Sequence, residues 1–334
     1  MQQYKIPARL LNHFGLNKGT GTYWSETCDD RKEYIKESID EQQMLAIVGD
    51  VGVGKSTLFD IVKKEMGATT EFIYCEDPNK EYMHVGSILT DAISHFSGGT
   101  IRRVRSARKI QFTRIIGSAH VTGKKNICIV IEEAHRLNPK LFRAIKELRE
   151  AEYLGVSPLF SIVMLGHEHL KFKLESMKEA FYRSHILELS EAAGWLNYDE
   201  RVEFLRVVFG RAIKPTVRKR IATMKRFPLE MVHYVEQKMM EAYQAGEDVL
   251  DDKIVKPTPI EMYHAMKASY PEAISYKIIA DEINLDSNKY IGKSSISDIL
   301  NTPGHSKAGA VSKAMEKIAE RQEKEFLSNA KKVG

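Results

Sequence analysis

Residues Gly49-Asp50-Val51-Gly52-Val53-Gly54-Lys55-Ser56 fit G-x-x-x-x-G-K-[ST], and they stand between an apolar run, LAIV, and a helix-like run, TLFDIVKKEM. A glycine-rich turn in this position constrains the fold tightly. It needs a buried strand behind it and a helix whose N-terminus opens at the turn. The glycines let backbone N–H groups curl inward around a phosphate, and the helix N-terminus adds its positive end. Lys55 would reach the β- and γ-phosphates of ATP, and the Ser56 hydroxyl would ligate Mg2+. With Thr57, this run is the expected nucleotide-binding set.

The surrounding pattern predicts an α/β fold. Met44–Val48, Phe72–Tyr74, Ile127–Ile131, Phe160–Leu165 and Ile186–Leu189 read as strands, mostly apolar without polar alternation. Such runs belong to parallel strands buried on both faces. From Asn197 to Ala245 the strand signal stops, and Val202, Leu205, Leu229, Val232, Val235 and Met239 recur at helical spacing. The Val255-Lys256-Pro257-Thr258-Pro259 stretch reads as a linker, because each proline discourages helix in the residue before it. Beyond it, helices are expected over roughly 260–269, 275–284 and 294–301, then a solvated Lys/Glu-rich helix over 308–329. The expected division is 1–190 for the nucleotide-binding α/β part, 191–254 for a helical lid and 255–334 for a small helical module.

A second element is Ile127-Cys128-Ile129-Val130-Ile131-Glu132-Glu133. A strand ending in paired carboxylates can place one on the metal through water and the other on an attacking water. Glu132 is the metal-side candidate, standing where Asp is usual, and Glu133 is the candidate base. Gly166-His167-Glu168-His169 follows the next strand. There His167 is the candidate for touching the γ-phosphate or the water, its rival being a structural His167–His169 pair. Arg183, just before the last strand, can act on a neighbouring subunit's γ-phosphate; a surface salt bridge is its alternative.

Charge is unevenly distributed. The 334-residue chain carries +5, yet the stretch from Ser97 to Lys125 holds eight basic residues and no acidic one, leaving −3 elsewhere. One strongly basic segment on a mildly acidic body points to a polyanionic partner bound at one place. An apolar content of 43% excludes a wholly disordered chain. Apolar runs are too short to span a membrane, and Cys28, Cys75 and Cys128 are too scattered for a disulfide framework or zinc site. A soluble, cytoplasmic protein without a membrane partner is expected.

In the last segment, Tyr276–Leu285 resembles the first helix of a helix-turn-helix, with Ala280 at the crossing and Asn284 as the left-handed turn residue. Ser295–Leu300 reads as a second helix with a capping-box start. Lys289, Lys293, Ser294 and Ser295 are the DNA-facing candidates there, with a protein-binding role open as the alternative.

His13-Phe14-Gly15-Leu16, GDVGVGKST, VIEEAHRL and SIVMLGHEHL, in this order and followed by a helical segment, resemble the AAA+ ATPases over about His13–Ala245. The likeness is narrower to the transposition and secretion branch: ExeA-type ATPases, the phage Mu B protein, TnsC and IstB. It implies Mg2+-dependent ATP hydrolysis between subunits and self-assembly into a ring or helical filament on double-stranded DNA. It also implies a transposase partner in target selection. A replication-initiator or helicase-loader ATPase, or a DNA-binding switch with little hydrolysis, is the alternative. The resemblance also implies that Arg226, beside Pro228 in the lid, senses nucleotide, although it precedes the proline where the family's sensor arginine follows one. It directs Arg102, Arg103 and Arg105 toward a central pore, where they would follow a phosphate backbone without reading bases, with Arg108 and Lys109 as further DNA-binding candidates.

Overall fold

The computed structural model describes residues 6–16, 23–75, 77, 79–97, 99–177, 184–190, 192–255, 259–269, 274–286, 291–301, 305–315, 317–318 and 321. In chain order, α1 (Ala8–His13) and α2 (Glu26–Asp40) precede β1 (Met44–Val48) and α3 (Lys55–Met66). Then come β2 (Thr70–Tyr74), α4 (Val85–Phe96), α5 (Arg105–Gly117), β3 (Asn126–Ile131) and α6 (Pro139–Arg149). The α/β part closes with β4 (Ser161–Gly166), α7 (Glu168–Ser176) and β5 (Ser184–Glu188).

These strands form one parallel sheet in the order β2-β3-β4-β1-β5. The apolar runs lack alternation because alternate residues feed two separate cores. Met44, Ala46, Val48, Ile127, Ile129, Ile131, Ile162 and Met164 pack on one face with α4, α5, α6 and α7. Leu45, Ile47, Cys128, Val130, Val163, Leu165 and Leu187 pack on the other with α2 and α3. Polar residues on either face would have to be buried, which is costly without partners.

β4 lies between the strand leading into the glycine turn and the strand ending in Glu132. Consecutive strands therefore run to opposite sides of β1 and β4, leaving a crevice at their C-terminal ends, where ligands sit in open α/β sheets.

Three further helices, α8 (Tyr198–Phe209), α9 (Pro215–Met224) and α10 (Pro228–Gln244), share a third core. An Asn197–Glu200 capping box starts α8. Ile6, Leu10 and Phe14 belong to this helical core, although sequence position groups them with the α/β part. The apolar spacing of a six-residue helix does not say which of two cores will take it.

The C-terminal helices are α11 (Pro259–Ser269), α12 (Tyr276–Asp286) and α13 (Lys293–Asn301), with a further helix over 308–315. They differ from the sequence expectation in three respects. Asn284 is no turn residue but lies within α12, where its amide accepts from Ile291 N (2.8 Å) and donates to Ile291 O (3.1 Å). Since α13 already begins at Lys293, Ser295 is not its cap. Nor is the last helix solvated throughout: Val311, Ala314, Met315 and Ile318 are buried in the module core, and Arg321 holds buried Glu282 bidentately. Its charged composition masked that apolar face.

Candidate nucleotide site

The glycine turn leaves β1 and ends at Gly54, whose φ of 105° puts it in the left-handed region just before α3. Gly52 has φ 79°, and a methyl group there would lie 2.5 Å from Leu229 Cβ. The turn is thus closed by the first turn of α10, and Leu229 N donates to Gly52 O at 3.4 Å. From another side Trp195 Nε1 donates to Val53 O at 3.0 Å. Gly49 N donates to Gly166 O at 3.3 Å, tying the turn to the end of β4. A backbone cradle fixed at three points, with no room for side chains at its tightest glycine, fits a phosphate group.

Lys55 Nζ donates to Gly49 O and Asp50 O, both at 2.8 Å, so its cation sits over the turn. Burial lowers its pKa, and the Glu133 and Asp50 carboxylates oppose that shift. Ser56 and Thr57 are exposed on the first turn of α3. Ser56 and Glu132 supply hard oxygen donors, the type Mg2+ takes. Glu132 is exposed at the end of β3; after burial and Asp60, its charge helps push the nearby Tyr74 hydroxyl up to about 12.

Glu133 adopts φ 52°, a left-handed conformation uncommon for a side-chain-bearing residue. A 3-10 turn, Ala134–Arg136, follows at once and brings His135 back toward the carboxylate, 3.8 Å from His135 Nε2 to Glu133 Oε2. The His135 and His167 rings meet edge to face with centroids 4.3 Å apart. His135 is held below its usual pKa by burial, then by His167. Lys173 donates to His135 O and, at 3.1 Å, to Leu137 O, locking this turn to α7. His167's neighbour is therefore His135 rather than His169, which is exposed. The paired-histidine reading took the wrong partner because residues two apart diverge where β4 passes into α7.

Glycine turn, Lys55, Glu133 and His167 converge at the C-terminal ends of β1, β3 and β4. Arg226 is exposed, two residues before the Pro228 that opens α10, and Phe227 packs into the core behind the turn. Arg183 lies outside the described residues, as does Lys289. Lys293, Ser294 and Ser295 are exposed in the first turn of α13. Sequence reasoning left Trp195, Leu229 and His135 unassigned. Only His135 had a local signal, sitting two residues after the candidate base.

The basic segment forms the tip and second arm of an α4–α5 hairpin inserted between β2 and β3. Arg102, Arg103, Arg105 and Lys109 are exposed. Arg108 departs from expectation. Its guanidinium donates to Arg102 O (2.9 Å), Arg103 O (3.3 Å) and Thr90 Oγ1 (3.3 Å), so it braces the loop. Gln111 adds bonds to Arg102 N (3.0 Å) and Thr100 O (3.2 Å).

Residues 38–174 match the family model described as the AAA domain. The chain therefore contains a P-loop AAA domain, a type that in general binds ATP and Mg2+, and the strand order β2-β3-β4-β1-β5 is the one typical of AAA+ proteins. Among solved structures it is similar to Cdc6p from Pyrobaculum aerophilum, at 13% identity and TM-score 0.53, covering 93% of this chain and 84% of that one. It is less similar to a DNA replication initiation factor (12% identity, TM-score 0.45, 93% and 94% covered). A similar level is reached with the RuvB Holliday junction branch migration motor of Thermotoga maritima (13% identity, TM-score 0.43, 83% and 86% covered). At such identities the Cdc6p likeness speaks for the fold. No curated protein matches the sequence. No helix among the described residues is long and apolar enough to cross a membrane.

Proposed function

We propose that the chain is an ATP-hydrolysing AAA+ protein that self-assembles and binds double-stranded DNA, working as a replication-initiator or helicase-loader type of ATPase. The observation that carries this reading is one molecule with a fixed phosphate cradle and, apart from it, a braced loop of exposed arginines. The fold likeness to Cdc6p, which spans 93% of the chain, supports the initiator form.

In this reading Lys55 neutralises charge on the β- and γ-phosphates while the glycine turn fixes their position. Ser56 and Glu132 would hold Mg2+, which when bound would supply charge neutralisation on the phosphates. Glu133 accepts the proton of the attacking water, and His167 hydrogen-bonds the water or the γ-phosphate. Arg226 reads nucleotide from the lid side, and Arg183 acts from a neighbouring subunit. Arg102, Arg103, Arg105 and Lys109 neutralise DNA phosphates with little dependence on sequence. The C-terminal module contacts DNA through Lys289, Lys293, Ser294 and Ser295. The three divisions at 190 and 254 serve as nucleotide, lid and DNA-proximal units.

A transposition role with a transposase partner is the second reading, favoured by VIEEAHRL and SIVMLGHEHL. Measuring ATP turnover and duplex binding together tests the shared core. Turnover that rises with duplex DNA, and duplex binding that needs ATP, are expected; DNA binding indifferent to nucleotide would overturn it. Because phosphate contacts leave both readings nearly indifferent to DNA sequence, the partner separates them: stimulation of a transposase by the DNA-bound chain would favour transposition, and loading of a replicative helicase onto the duplex would favour initiation.

A further inference from the structure

We propose that Glu133, His135 and His167 form a binding site for a transition-metal ion such as Zn2+, and that an ion held there takes the Glu133 carboxylate out of reaction. The inhibitory half rests on Glu133 being the base; the metal-binding half stands on geometry alone.

Each of the three side chains brings a ligand atom to within 4.8 Å of the other two. Zn2+ holds nitrogen and oxygen ligands at about 2.0–2.2 Å, which sets tetrahedral ligand atoms roughly 3.4 Å apart. The 3.8 Å between Glu133 Oε2 and His135 Nε2 is already close to that spacing. The backbone carrying these groups is fixed: Lys173 ties the His135 turn to α7, and a methyl at Gly166 would lie 3.1 Å from His135 N. Only side-chain torsions need to adjust.

Two imidazoles and a carboxylate are a donor set Zn2+ uses where a fourth position stays open to water or to a phosphate oxygen. Imidazole suits zinc, cobalt, nickel and copper, whereas Mg2+ takes hard oxygens such as those of Ser56 and Glu132. The two ions therefore need not compete. A carboxylate that donates a lone pair to Zn2+ is left a much weaker base, because the ion withdraws charge from both oxygens, so occupation of this site suppresses turnover.

The test uses the nucleotide-free full chain titrated with Co2+, followed by its visible absorption. One Co2+ per chain with a four-coordinate spectrum is expected, displaced by equimolar Zn2+ and untouched by excess Mg2+. His135→Ala and His167→Ala should each weaken Zn2+ binding at least about tenfold, a loss that even outer-shell changes produce. His135→Asn serves if His135→Ala does not fold. His169→Ala should bind as wild type, since His169 is outside the cluster. Unchanged binding in the His135 and His167 variants, or equal loss in His169→Ala, would overturn the site. In Mg2+–ATP assays saturating Zn2+ should lower wild-type turnover at least about tenfold; metal bound without that loss overturns the inhibitory half. A chain that binds Zn2+ as expected yet never hydrolyses ATP upholds the site and sinks the ATPase reading instead.

Discussion

The glycine turn and the α4–α5 basic hairpin are both suited to phosphate groups, and they are built in opposite ways. The turn is made of backbone, held by Leu229, Trp195 and Gly166 from three other elements, and a single methyl group at Gly52 would collide with α10. The hairpin tip is made of charge. Arg102 and Arg103 stand exposed on a loop braced by neighbours on the hairpin itself, chiefly Arg108 and Gln111, and Arg105 stands exposed at the start of α5. A site of the first kind is sensitive to volume and shape, and one of the second kind to the number of charges and to salt.

The sharpest break between the two regions is expected from Glu133→Gln. The amide still holds a water but cannot take its proton, so turnover should fall by about 10²–10⁴-fold with DNA binding retained. Steady-state hydrolysis beside a duplex-binding assay reads both; loss of the two together would dissolve the contrast. Gly52→Ala should come next. A side chain in the left-handed region costs about 1–2 kcal/mol, and overpacking against Leu229 adds about 1–3 kcal/mol. Nucleotide affinity should drop at least about thirtyfold, measured with a fluorescent ATP analogue, and duplex affinity of the nucleotide-free chain should not move.

On the hairpin, changing Arg102, Arg103 and Arg105 together to Ala should flatten the slope of log K against log salt by up to about 3, since each phosphate contact contributes about 0.9. Nucleotide affinity should be spared. Arg108→Ala sharpens the point: the loop amides should exchange hydrogen faster while the slope changes by well under the roughly 0.9 of a phosphate contact.

The smallest effect concerns Glu188 at the end of β5, whose carboxyl is held below its usual range by Lys171 and then Ser190. A depressed carboxylate stabilises the fold above its unfolded pKa, and the contribution fades as pH falls through the folded value. Lys171→Ala should therefore lower Tm slightly at neutral pH and leave it unchanged at the acid end of a thermal-melt series. Equal losses at both ends would assign Lys171 a packing role.

Much of the sheet was legible because strands buried on both faces must be apolar throughout, and Met44–Val48 and Ile127–Ile131 have no other reading. The glycine turn was legible for a similar reason: its φ angles and its helix start are local demands that few residues meet. Glu133 could be named from its place at a strand end. Tertiary structure alone decided what each of these meets. His135 faces His167 across a chain separation of thirty-odd residues, brought there by β4 lying beside β3. Leu229 closes on Gly52, Arg108 turns inward to brace a loop, and Ile6, Leu10 and Phe14 join the helical core. Periodicity records that a residue is buried or charged. Which surface buries it, or which carbonyl takes its proton, depends on how elements distant in sequence pack, and no local pattern carries that information.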